Sequence, residues 1–181
     1  NVVVGILQDR SGAYWISTLT GLNKLDASSG SFTRYAHDPK DANSLSHSFT
    51  IAMLEDSAGR FWVSTAGEVC LFDRAAGKCS QKLPFLNVYG LHQDTANPDI
   101  LWLGTWRSGV YKYNTRDGSS THYTHDVDNP HSLANDMTWV FLEDKDDPNL
   151  LWIPTQGGGL EKLDKTSGVF THYQNDPKNP A

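Results

Sequence analysis

The side chains best suited to recognition chemistry are Trp106, Arg107 and Ser108, consecutive in one short segment, with Gln156, His47, Asn135 and Asp136 in comparable polar stretches. Sugar recognition needs a flat apolar surface beside planar amide, carboxylate or guanidinium groups that pair with adjacent hydroxyls. Trp106 next to Arg107 is the best local match, and Gln156, Asn135 and Asp136 supply amides and an acid. Loop packing is a competing account of Trp106, as solvation of a loop is for His47 and Asn135.

Catalytic and metal-binding patterns are absent by comparison. Seven His and 21 acidic residues yield no recurrent pair of carboxylates, and there is no GxSxG, HExxH or phosphate-loop motif. Asp126-Val127-Asp128-Asn129 offers oxygen ligands of the kind calcium takes, but it is too short for an EF-hand loop and lacks the downstream Glu. Turn formation by Asp and Asn explains it, and explains Asp144-Lys145-Asp146-Asp147-Pro148-Asn149 as well. No metal and no cofactor is expected. Cys70 and Cys79, without CxxC spacing, flank a hairpin; if Asp73 pairs near Lys78, Cys79 faces Phe72 and lies diagonal to Cys70 on one sheet face. That geometry admits a disulfide, and two buried thiols fit the residues equally well.

What positions these residues is an internal repeat. Tyr14-Trp15-Ile16-Ser17-Thr18 recurs as Phe61-Trp62-Val63-Ser64-Thr65, Leu101-Trp102-Leu103-Gly104-Thr105 and Leu151-Trp152-Ile153-Pro154-Thr155, so that the Trp spacings are 47, 40 and 50. Upstream of each lies a short apolar run ending in an acid and a turn, at Asp9, Asp56, Asp94 and Asp144; downstream come runs such as Gly21-Leu22-Asn23-Lys24-Leu25 and Phe32-Thr33-Arg34-Tyr35. Four runs of about five residues, rich in β-branched and aromatic types and bounded by Gly, Asp, Asn or Ser, predict a four-stranded antiparallel meander. A radial array of such sheets is a β-propeller. Small residues at Gly5, Ala52 and Gly90, with Val140 as the exception, fall in the crowded first strand, and the Trp of the second strand has the area to fill the wedge between blades. The Thr three residues after each Trp is expected to bridge blades by hydrogen bonds. Trp139, in a column with Val4, Ile51 and Tyr89, is expected in the core, whereas Trp106 stands where the other repeats have Leu19, Ala66 and Gln156, so the fold does not require it.

The pattern of acid and turn, then aromatic-Trp-Ile/Val-x-Thr, Gly-Leu and hydrophobic-Asp resembles the two-component regulator propeller repeat. The connectors Asp38-Pro39-Lys40-Asp41-Ala42-Asn43-Ser44-Leu45 and Asp126-Val127-Asp128-Asn129-Pro130-His131-Ser132-Leu133 strengthen the resemblance, and a third copy begins at Asp176-Pro177-Lys178-Asn179-Pro180-Ala181. The third repeat is weaker: the segment before it, Lys82-Leu83-Pro84-Phe85-Leu86, lacks the Asp-rich Ser-Leu connector. The resemblance implies a periplasmic sensor propeller of a hybrid two-component system, joined to an inner-membrane anchor and a histidine kinase, responding to glycans. It also leans toward a bond between Cys70 and Cys79. Implied partners are an oligosaccharide or other small ligand, the remaining blades, downstream signalling domains and a second copy in a homodimer.

The expected fold is therefore all-β: a β-propeller of four-stranded antiparallel blades, with four blades at about 1–38, 48–84, 87–126 and 136–176 in one segment spanning 1–181, taken from a larger propeller. Ligands are expected on the face shared by the long connectors between blades and the turns between second and third strands. The formal charge of −6, with no basic run, argues against contact with nucleic acid. No apolar run approaches the roughly 20 residues that span a bilayer, and no kinase motif is present. The expected function is that of a ligand-sensing module without catalysis; a propeller enzyme acting on glycans, or an interaction scaffold, is the alternative.

Overall fold

The computed structural model describes residues 2–175; the third connector copy, at 176–181, lies outside them. The first blade comprises β1 (Val3–Gln8), β2 (Tyr14–Thr18), β3 (Gly21–Leu25) and β4 (Phe32–Tyr35). The second comprises β5 (Thr50–Glu55), β6 (Phe61–Thr65), β7 (Val69–Asp73) and β8 (Lys78–Leu83). In the third are β9 (Val88–Gln93), β10 (Ile100–Thr105), β11 (Val110–Asn114) and β12 (Ser120–Tyr123), and in the fourth β13 (Leu142–Glu143), β14 (Leu150–Thr155), β15 (Gly159–Asp164) and β16 (Phe170–Tyr173). Each sheet is an antiparallel meander in sequence order, the arrangement the turn spacing predicts. The fourth blade departs from the pattern in its first strand, which is reduced to Leu142–Glu143 and a bridge between Thr138 and Thr155.

The chain divides into two compact units, Asn1–Val88 and Tyr89–Ala181, each built on two blades. In the first, Trp15 is wholly buried and packs its ring 5.0 Å from Phe61 and 5.9 Å from Phe72 of the second blade. In the second, Trp102 lies in a core with Leu133, Phe141, Leu151, Ile153 and Phe170. Within each unit the Trp thus fills the wedge between blades, and the hydrophobic core is shared between two sheets. The small first-strand residues answer to the next blade: a Cβ on Gly90 would stand 2.4 Å from the Trp139 carbonyl oxygen. Val140 meets no such neighbour among the described residues and is exposed.

One local expectation is changed by the structure, and one alternative left open by the sequence is decided. The Thr after each Trp closes its own turn, Thr18 Oγ1 donating to Gly21 O at 2.8 Å and Thr105 Oγ1 to Gly109 O at 2.9 Å. Among the side chains that bridge blades are Thr50 and Thr138, at the entry to the following blade: Thr18 N donates to Thr50 Oγ1 at 2.9 Å and Thr105 N to Thr138 Oγ1 at 3.1 Å. Cys70 and Cys79 form a disulfide with their Cα atoms 5.6 Å apart. Phe72 pairs with Cys79 and Asp73 with Lys78, but Leu71 pairs with Gln81, so Ser80 is an extra residue in the ladder. The free-thiol alternative is excluded by this bond.

The connectors explain their composition. Asp38 N donates to Ser44 Oγ and Asp126 N to Ser132 Oγ, each at 2.9 Å, while Leu45 and Leu133 drop into the cores. Asp126 Oδ1 accepts the Asp128 amide at 3.0 Å and Asn129 Oδ1 the His131 amide at 3.0 Å. These acids and amides hold successive turns.

Candidate functional site

Six of the seven residues singled out for recognition belong to the second unit, and His47 belongs to the first. Within the second unit the entry segment to the fourth blade is held between two turns. On one side Gly109 N donates to Asp136 O at 2.8 Å; on the other Gln156 N donates to Met137 O at 3.0 Å. The turn bearing Trp106 and Arg107, the entry segment with Asn135 and Asp136, and the turn bearing Gln156 therefore form one continuous edge. The two turns are positioned by the Thr105 and Thr155 side chains, which cap Gly109 O and Gly159 O.

Three rings gather along this edge. Tyr89, at the second residue of β9, stacks 5.2 Å from Trp106, and Trp106 lies 5.8 Å from Trp139, with interplanar angles of 33° and 36°. Trp106 remains 37% exposed. Trp139, expected in the core, is half-buried, and its Nε1 is buried with no acceptor among the described residues. That indole N–H is a donor in search of a partner, since an unpaired buried donor carries a desolvation cost. Arg107, next to Trp106 in the chain, and Gln156 are exposed.

The other candidates have identifiable local roles. Asp136 Oδ1 accepts the His125 amide at 2.6 Å, and Asn135 Oδ1 accepts the Met137 amide at 2.9 Å. Both side chains therefore shape the entry segment. His47, exposed on the corresponding segment of the first unit, accepts the Phe49 amide on Nδ1 at 2.9 Å.

Sequence reasoning passed over Tyr89 and Trp139 as partners of Trp106. The signal was present: the column that is aliphatic at Val4 and Ile51 becomes aromatic at Tyr89 and Trp139, in the unit whose turn carries Trp106. It also passed over the use of the acids before each Trp. Trp15 Nε1 donates to Asp9 Oδ2 at 2.8 Å, Trp62 to Asp56 at 2.8 Å, Trp102 to Asp94 at 2.9 Å and Trp152 to Asp144 at 2.9 Å. Burial would raise the pKa of Asp9, but bonds from Ser11, Trp15 and Ala13 and the charge of Arg74 outweigh it and hold the group at about 2.

Residues 44–67 match the model of the two component regulator propeller family. No curated protein matches the chain. Among solved structures, the extracellular domain of BT3049 from B. thetaiotaomicron, assigned as a hybrid two component system, is 22% identical with a TM-score of 0.79, over 94% of this chain and 23% of that one. The corresponding domain of BT4673 is 23% identical with a TM-score of 0.74, over 97% of this chain and 22% of that one. A catalytically inactive virginiamycin B lyase from Staphylococcus aureus is 17% identical with a TM-score of 0.67, over 97% of this chain and 56% of that one. The chain thus spans less than a quarter of the length of these two extracellular domains. On this match and this fold, the chain consists of β-propeller blades, and its residues 44–67 are similar to the two component regulator propeller repeat.

Proposed function

We propose that the chain is a ligand-sensing part of the extracytoplasmic propeller of a hybrid two-component sensor kinase, that it responds to a carbohydrate, and that it performs no catalysis itself. The match of residues 44–67 to the two component regulator propeller model carries this reading. It is supported by the likeness to extracellular domains of two systems assigned to that class. The site is the edge of the second unit carrying Trp106, Arg107 and Gln156, backed by Tyr89 and Trp139, with Asn135 and Asp136 on its entry segment; His47, in the first unit, is proposed as a separate contact. A sugar ring would rest against the aromatic group, with Arg107, Gln156 and the unpaired Trp139 N–H serving its oxygens. Signalling would pass to further blades, a membrane anchor and kinase domains, with a homodimer as the transmitting assembly. Nucleic acid is not a partner.

The alternative is a propeller enzyme, favoured by the likeness to a lyase fold. Calorimetry of the chain against a panel of oligosaccharides, with product analysis of each mixture, separates the two. Saturable binding without product is expected, with Trp106→Ala weakening it tenfold or more, about 1.4 kcal/mol. Turnover of any oligosaccharide would overturn the sensor reading, and unchanged binding by Trp106→Ala would remove the site.

A further inference from the structure

In both units the first blade presents its Trp on a face that the second blade covers. Trp15 and Leu22, and likewise Trp102 and Val110, are wholly buried there. At the margin of that face stands the acid that accepts the indole N–H, and the covering blade brings a cation to it. Arg74 Nη1 lies 3.1 Å from Asp9 Oδ2, and Lys165 Nζ lies 2.8 Å from Asp94 Oδ2. The same cation holds a carboxylate of its own blade, Glu55 at 2.8 Å or Glu143 at 3.0 Å. That Glu in turn accepts a backbone N–H of the covered blade, from Arg10 at 2.7 Å or Thr95 at 3.0 Å. A covering blade is thus marked by two residues: Glu at the end of its first strand, and Arg or Lys directly after the Asp that closes its third.

The fourth blade repeats the Trp face with no cover among the described residues. Val140, Leu142 and Leu160, standing where the first blade has Gly5, Leu7 and Leu22, are 58%, 66% and 40% exposed. Asp144 accepts the Trp152 indole and the amides of Asp146 and Asp147, and no ion pair reaches it among the described residues. The second blade solves the same problem internally, Arg60 Nε lying 2.6 Å from Asp56 Oδ2. Leu150 occupies the place of Arg60 in the fourth blade, so no such internal solution exists there.

We infer that the Trp152 face of the fourth blade is a docking surface for one further blade of this repeat, bearing an Arg or Lys that pairs with Asp144 and a Glu that completes the clasp. The apolar side chains supply the area, and the charge selects the partner. A blade of the first or third type, with Gln8 and Ala27 or Gln93 and Thr115 at the two marked positions, would bury Asp144 without a counter-charge. The inference rests on the reading of the chain as part of a longer sensor propeller, and it names the chemistry of the adjoining blade.

The test extends the full chain beyond Ala181 with a second copy of residues 44–84, which carry Glu55 and Arg74, and follows hydrogen exchange of the Leu142 and Glu143 amides. Exchange should slow by roughly a hundredfold relative to the unextended chain. Arg74→Ala in the added copy should lose at least roughly tenfold of that protection, Arg74→Lys should retain it, and an added copy of residues 84–126 should give none. Equal protection by the added third blade, or indifference to Arg74→Ala, would overturn the inference. So would an added 44–84 segment that stays unordered, because the same segment orders against the first blade in the native chain. Oligosaccharide calorimetry on the extended chain reads out separately: a docked blade with no glycan binding would leave the inference standing and remove the sensor reading.

Discussion

The value of a charge in this protein depends on where it sits. Asp94 is buried, accepts the Trp102 indole and pairs with Lys165, itself nearly enclosed. Asp94→Ala would leave an indole donor without its acceptor and a buried ammonium short of one carboxylate, so a loss of about 3 kcal/mol is expected in urea unfolding. Asp99, whose partner Arg116 is 81% exposed at 3.3 Å, should cost less than about 1 kcal/mol on the same substitution. A second buried group gives a pH signature. Glu161 contacts His172 Nδ1, and His172 Nε2 donates to Pro130 O at 2.9 Å. Burial raises the pKa of Glu161 above 4.5, against the opposing pull of His172. For His172 burial works downward, and the Pro130 carbonyl and the Glu161 carboxylate outweigh it, raising the group above 6.5. Both groups bind their proton more tightly in the folded state, so their stabilisation is complete at low pH and is lost as pH rises through the raised values. The depressed carboxylates, Asp9, Asp94 and Glu143, act oppositely and withdraw stability as pH falls below their ordinary range. Stability should therefore peak in mildly acidic solution and decline above pH 6.5, by at most about 1.4 kcal/mol per pH unit for each proton. In the double variant Glu161→Gln, His172→Gln, melting curves across pH should show that alkaline decline flattened.

Within one blade, the turn between second and third strands is the element that carries recognition residues, and its geometry is tightly set. Gly109 has φ of +67°, and a Cβ there would stand 2.1 Å from the Tyr123 carbonyl oxygen of the neighbouring strand. Gly109→Ala must therefore move either the turn or β12, and a loss of about 1–3 kcal/mol is expected, together with weaker ligand binding through displacement of Trp106. The second blade has Glu68 at this place without a positive φ, and there Leu83 O accepts the Phe85 amide at 2.8 Å as the chain turns away after β8. Such elements were largely legible in the sequence. Alternation, turn residues and one column of four aligned Trp residues placed the sheets, whereas the burial of Leu45 and Leu133 in the connectors was not anticipated. Contacts that cross between blades were not. Arg74 and Lys165 look like ordinary turn residues in their own repeat, and their partners Asp9 and Asp94 lie 65 and 71 residues away. The disulfide was undecidable because one unpaired residue, Ser80, sets how Cys79 meets Cys70, and no composition signals a bulge. The aromatic group around Trp106 escaped notice for the same reason as the clasp, since Trp139 arrives from the next blade.

At the scale of the molecule, a core shared between sheets ties the stability of each blade to its neighbour's presence. Phe61 and Phe72 of the second blade are buried against Trp15 of the first, and Arg74 stacks over Phe61 while pairing with Asp9. Removing residues 1–38 would leave every strand of the second blade intact in sequence while stripping the apolar cover from β6 and β7 and one carboxylate from Arg74. A repeat of this kind cannot bury its hydrophobic face alone, so the loss should propagate. In the shortened chain, amides of Phe61–Thr65 should exchange roughly tenfold faster or more, and a hydrophobic dye should bind, whereas amides of Ile100–Thr105, whose Trp102 packs on the fourth blade, should keep their protection. If the second blade stayed protected without the first, each sheet would be carrying its own core, and the inter-blade Trp and clasp would be secondary to strand pairing. If β10 lost protection too, the two-blade unit would not be the level at which this chain is held together.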